Sequence, residues 1–172
     1  MLALAISVTA CGGGSSSPTA PQLTPPQPTG PSASSAVTNW VVTQRFGSVS
    51  GPDNCWIREQ RARWTGATFP DLPMKVTRSA GSISLEGEFF AVNYVGTTSG
   101  SDFSAAGERP LEGGGRPCQD GTSFQQMPGV SALSGRFSGA DQTLTATEVN
   151  SYRLTSGEPV IYTWEWQATR RN

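Results

Sequence analysis

The segment Val160 to Thr169, "VIYTWEWQAT", constrains the fold more than any other part of the chain. Val160, Tyr162, Trp164, Trp166 and Ala168 fall on one side of an extended backbone, and Ile161, Thr163, Glu165, Gln167 and Thr169 on the other. Strict alternation of this kind fits a strand with one buried face and does not suit a helix, whose apolar stripe recurs every three to four residues. Residues 143–154, "TLTATEVNSYRL", precede it, and "TSGEP" supplies turn residues between the two, so the C-terminus reads as an antiparallel hairpin.

The same period extends upstream. "SALSGRFSG" (131–139) sets Leu133 and Phe137 on one side and reaches the next strand through "GADQ". "MKVTR" and "SISLEGEFFAVNYVG" flank a hairpin turn at Ala80-Gly81, with Ile83, Leu85 and Phe89 sharing a face. "NWVVTQRFGSVSG" and "CWIREQRARWTG", separated by "GPDN", read as two further strands. Twenty glycines and 13 prolines against 35% apolar residues favour short strands and many turns over helices. The expectation is an all-β domain, a small antiparallel up-and-down β-barrel of seven or eight strands, with a β-sandwich as the alternative. In general appearance the pattern resembles small lipocalin-like or avidin-like barrels. Residues 96–130 break the rhythm: long and Gly-rich, they read as a loop that is either a lid or a tolerated insertion.

The N-terminal 36 residues are of another kind. Leu2 to Ala10 form a short apolar run, suited to the core of an export signal and too short to span a bilayer. Val8 to Cys11, "VTAC", follows, and residues 12–36 carry no charge and consist mainly of Gly, Ser, Pro, Thr and Ala. Such a segment cannot bury a core and reads as a tether. "VTAC" resembles the bacterial lipobox, which implies a signal peptide over 1–10, a lipidated Cys11, a tether over 11–36 and a folded domain over 37–172. The resemblance places the protein in the cell envelope, fastened to a membrane through its lipid. Gly12 stands where an inner-membrane retention signal would place aspartate, which leans towards the outer membrane or cell surface. In an exported protein the two remaining cysteines, Cys55 and Cys118, are expected to form a disulfide, with two buried free thiols as the alternative.

Several function classes are excluded or disfavoured. Twelve basic and 13 acidic residues give no field to gather nucleic acid. The absence of histidine removes the usual general base, the commonest zinc ligand and every Ser-His or Cys-His pair. The "EGGGRP" run at 112–117 lacks the lysine and Ser/Thr of a phosphate-binding loop. No cofactor or metal is expected. Glu86 and Glu88 share a strand face about 6 to 7 Å apart, a spacing that admits a carboxylate-dependent hydrolase, although a solvated outer face suits them better.

The candidate binding residues are polar groups in phase with apolar ones, together with nearby aromatics. Arg58 and Gln60 lie between Trp56 and Trp64; Glu148 and Asn150 lie between Ala146 and Tyr152; Trp164 and Trp166 complete the set. A polar side chain inside a barrel must be paired or wet, because burying it bare costs several kcal/mol. Internal pairing, a hydrated ligand cavity and a β-bulge that turns the group to solvent all satisfy that condition. Trp40, Trp56, Trp64, Trp164 and Trp166 serve either as core or as a surface for stacking a ligand. The reading is a non-catalytic envelope protein that binds a small or amphipathic molecule or an envelope partner. A structural or adhesive surface protein with a dry interior is the alternative.

Overall fold

A computed structural model describes residues 35–87, 92–110, 118 and 123–171. Eight antiparallel strands follow chain order around a closed barrel: β1 (Ala36–Ser50), β2 (Thr68–Ser79), β3 (Ser82–Glu86), β4 (Tyr94–Ser99), β5 (Asp102–Arg109), β6 (Gly129–Ser138), β7 (Thr143–Arg153) and β8 (Pro159–Arg171), with β8 returning to pair with β1. The up-and-down barrel expected from the alternation is the fold. Closure leaves no long free edge between first and last strands, which protects an exposed all-β chain from edge-to-edge association.

One element departs from the expectation. Cys55–Trp64, read as a strand, is a helix, α1. Its N-cap is Asn54, whose Oδ1 accepts the amide of Ile57 at 2.9 Å, and Arg61 and Arg63 occupy the last turn, where cations suit the helix dipole. Because α1 buries only Trp56 and Ile57, two adjacent residues at its start, it shows no apolar stripe in the sequence. The long irregular stretch at 96–130 is likewise partly ordered: it contains most of β4, all of β5 and the start of β6. The "EGGGRP" run, Glu88 and Phe89 lie outside the described residues.

The two ends of the barrel differ. Tight turns at Ala80-Gly81, Gly100-Ser101 and 139–142 close one end, with Gly81, Gly100, Gly139, Ala140 and Asp141 in the left-handed backbone region. There Arg78 lies over the ring of Phe137, 4.5 Å from its centroid, and donates to Asp141 at 2.7 Å. The other end carries α1 and the longer connections. Cys118, in the connection between β5 and β6, is disulfide-bonded to Cys55, with Cα atoms 6.0 Å apart.

Two cores stack along the axis. Trp40, Val42, Val76, Leu85, Leu133, Phe137, Leu144 and Trp166 are among those filling the barrel, while Phe46, Trp56, Ile57, Tyr152, Leu154 and Tyr162 pack under the helix. Trp164 touches both. An eight-stranded barrel is just wide enough for side chains to fill it, and here the wide rings demand small neighbours. Gly135 faces inward on β6, and a Cβ there would meet Thr145 O at 2.4 Å and Phe103 Cε1 at 2.8 Å.

Candidate functional site

The inward side of β7 carries Leu144, Ala146, Glu148, Asn150 and Tyr152, all buried. Glu148, 1% exposed, places a carboxylate in the barrel interior, and five donors converge on it. Tyr94 Oη donates to Oε1 at 2.6 Å, Arg109 Nη1 at 3.2 Å and Ser131 Oγ at 3.4 Å. Gln44 Nε2 donates to Oε2 at 2.6 Å and Trp166 Nε1 at 3.0 Å. The donors come from β1, β4, β5, β6 and β8, so one carboxylate ties together most of the barrel wall. Arg109 balances its charge, and Ser131 also bonds Asn150. A buried ion is tolerable only with such pairing.

Burial pushes the Tyr94 phenol far above its ordinary value, and the neighbouring Glu148 charge adds to the shift. Tyr94 therefore holds its proton and remains a donor. The carboxylate oxygens, with roughly four lone-pair sites between them, already receive five donors, so no direction remains for a substrate proton. Among the described residues Glu148 is the buried acid, and Glu86 is exposed on the outer wall. Glu88, the other acid of the pair expected from the sequence, lies outside the described residues.

The sequence candidates separate into three groups. Glu148, Asn150 and Trp166 come together in the network, which realises the internally paired alternative. Tyr152 is buried nearby and meets Tyr162 edge to face at 5.9 Å. Arg58 and Gln60 do not point into the barrel, because their segment is helical: Arg58 is exposed and pairs with Asp53 at 2.9 Å, and Gln60 accepts from Trp64 Nε1 at 2.9 Å. Gln44, Tyr94, Arg109 and Ser131 were not singled out. Gln44 was within reach, since it continues the inward series Trp40, Val42, Gln44, Phe46; Tyr94 and Arg109 sit where the pattern is weakest.

Beside the network the helix end offers two surfaces. An open concavity of about 1340 Å³ is lined by Arg109, Met127, Val130, Tyr152, Arg153 and Ile161, among others, and Met127 (45%), Val130 (55%) and Ile161 (38%) expose apolar surface in it. Val130, Ser151 and Ile161 are register partners across β6, β7 and β8, which explains their common outward row. Under α1, Trp64, Phe69 and Trp164 form a triangle with ring centroids 5.8 to 6.0 Å apart.

No known protein family matches the chain, and no curated protein does. Among solved structures, a mutant of the vaccine antigen transferrin binding protein B from Haemophilus parasuis aligns over 83% of this chain and 27% of its own, with 12% identity and a TM-score of 0.40. This chain thus spans about a quarter of that protein's length, and a likeness at this level carries no argument about function.

Proposed function

We propose that the chain is a non-catalytic, lipid-anchored cell-envelope protein that acts by binding a small or amphipathic molecule, or another envelope component, at the helix end of its barrel. One observation carries the non-catalytic part: the conspicuous buried ionisable group, Glu148, is saturated by five donors and balanced by Arg109, so its oxygens are engaged in holding the barrel together. The dense filling of the main core favours a surface or mouth at the helix end over a ligand held deep inside. The anchor rests on "VTAC" at Val8 to Cys11 and the uncharged stretch after it. Two or three acyl chains hold far more firmly than one, since each buried methylene contributes about 0.8 kcal/mol.

Mass spectrometry of the full chain, recovered from a bacterial membrane fraction, tests this reading. The expected species begins at Cys11, carries acyl chains and gains two hydrogens on reduction of its disulfide. The Cys11→Ser variant is expected to lose the acyl mass and leave the membrane fraction. An unacylated wild-type chain that still retains Met1 would overturn the anchor.

A further inference from the structure

The inward-facing aromatic residues deep in the barrel are dry: Trp40, Tyr94, Phe137 and Trp166 are at most 2% exposed. Near α1 that pattern stops. Trp64 and Trp164 are half-buried and Phe69 is 37% exposed, although full burial of each ring would stabilise the fold. Pro70 and Pro73 carry no amide hydrogen, and Asp71, with φ of 58°, lies at the register shift opposite Val42 and Gln44. A backbone segment without these two amide hydrogens is a poor template for an added strand, so this surface suits a small molecule better than an extended peptide.

The polar groups of this mouth define what would fit. Gln44 donates its Nε2 to the acceptor-only carboxylate of Glu148, which fixes the amide and leaves Oε1 as the acceptor. Gln44 Oε1 and Trp164 Nε1 make no hydrogen bond among the described residues, whereas Trp64 Nε1 and Trp166 Nε1 are both taken, by Gln60 and Glu148. One free acceptor and one free donor therefore stand among aromatic rings. A hydroxyl both donates and accepts, and a saccharide ring joins hydroxyls at its edge to a face of C–H groups. The charge of Glu148 is already balanced by Arg109, so it offers no claim on an ionic ligand. We propose that the mouth formed by Gln44, Trp64, Phe69 and Trp164 binds a pyranose ring of a saccharide, with the ring face against Phe69 and Trp164 and a hydroxyl between Gln44 Oε1 and Trp164 Nε1. This deepens the binding role proposed above and rests on it.

The test is titration of the full-length chain with maltotriose, chitotriose and decanoate, read by tryptophan fluorescence and calorimetry. Saturable binding of at least one trisaccharide is expected, weakened about tenfold or more in Phe69→Ala and in Trp164→Phe, the latter keeping a ring but losing the N–H. Both variants are checked for a cooperative thermal transition; Phe69, being more than a third exposed, is the safer of the two for folding. No saturable response to either sugar up to about 10 mM, or sugar binding that both variants leave unchanged, overturns the proposal. Binding of decanoate alone also overturns it, while leaving an envelope-binding role intact. Sugar binding by a chain that proves to be unlipidated would retain this site and remove the anchor.

Discussion

Arg109 on β5 donates through Nη1 to Glu148 Oε1 on β7 at 3.2 Å, across the inward face of the strand between them. Removing one partner of a buried pair leaves the other charged and uncompensated, which commonly costs about 3 to 5 kcal/mol. Glu148→Gln has a second fault, since its NH2 would face donors. We expect this variant to lose about that much stability, and Arg109→Met to lose less because Arg109 keeps some exposure to water. The double variant should recover part of the loss. Urea unfolding of the four proteins measures the coupling, and additivity within about 0.5 kcal/mol would show that the pair does not act as a unit.

Tyr94 makes the barrel sensitive to alkali. Its folded value is raised by burial first and by Glu148 second, while the unfolded phenol titrates near 10.0. The folded state thus keeps a proton that the unfolded chain releases. Stability from this group is complete below about pH 10 and falls as pH rises above it, by about 1.4 kcal/mol per pH unit for one proton. Tyr162, raised by burial and then by Tyr152, acts in the same direction. With one lysine and no histidine in the chain, few other groups blur this limb. Denaturant unfolding between pH 8 and 11 should show a shallower decline in Tyr94→Phe than in the wild type. Parallel slopes would mean that the phenol is not protected.

The alternation that made β7 and β8 legible is the same feature that misplaced α1. Trp56, Arg58 and Gln60 mimic a period of two, and the helix buries so little that no three-to-four period competes; the capping Asn54 was the usable signal. β4 and β5 were hidden for a packing reason. Their sequences, "YVGTTS" and "DFSAAGER", place Gly96, Ala105 and Gly107 at inward positions, where a side chain at Gly96 would meet the backbone of Ser104 and Ala105 and one at Gly107 would meet Val92 and Asn93, so few large apolar residues mark the alternation. Glu148 and Asn150 could be singled out from phase alone. Their partners could not, since Tyr94 and Arg109 are distant in sequence and brought close only by closure of the barrel.

Gly135 tests how tightly that interior is filled. Its neighbours leave no room for a methyl group: a Cβ would sit 2.4 Å from Thr145 O and 2.6 Å from Ala146 Cβ. Overpacking of this kind costs about 1 to 3 kcal/mol. Gly135→Ala is therefore expected to lower the thermal midpoint, and Ala146→Gly in the same chain should restore part of it. If Gly135→Ala matches the wild type, the strands can separate there and the core is less rigid than its packing implies.

The disulfide joins the first residue of α1 to a connection 63 residues away, so it fastens the helix end and leaves the tight-turn end untouched. In the chain-entropy account, a closed loop of that length stabilises the fold by about 4 kcal/mol, with native strain able to reduce the figure. The Cys55→Ser, Cys118→Ser variant should show a lower denaturation midpoint. Its losses of amide protection should concentrate in α1 and the helix-end core around Trp56, Ile57 and Leu154, while β6 to β8 near Leu133 and Leu144 exchange more slowly. Hydrogen exchange read by mass spectrometry, with and without reductant, separates the two regions. Uniform loss across both cores would mean that the barrel and its helix form one cooperative unit, and that the saturated carboxylate at Glu148 couples them more strongly than their stacking alone implies.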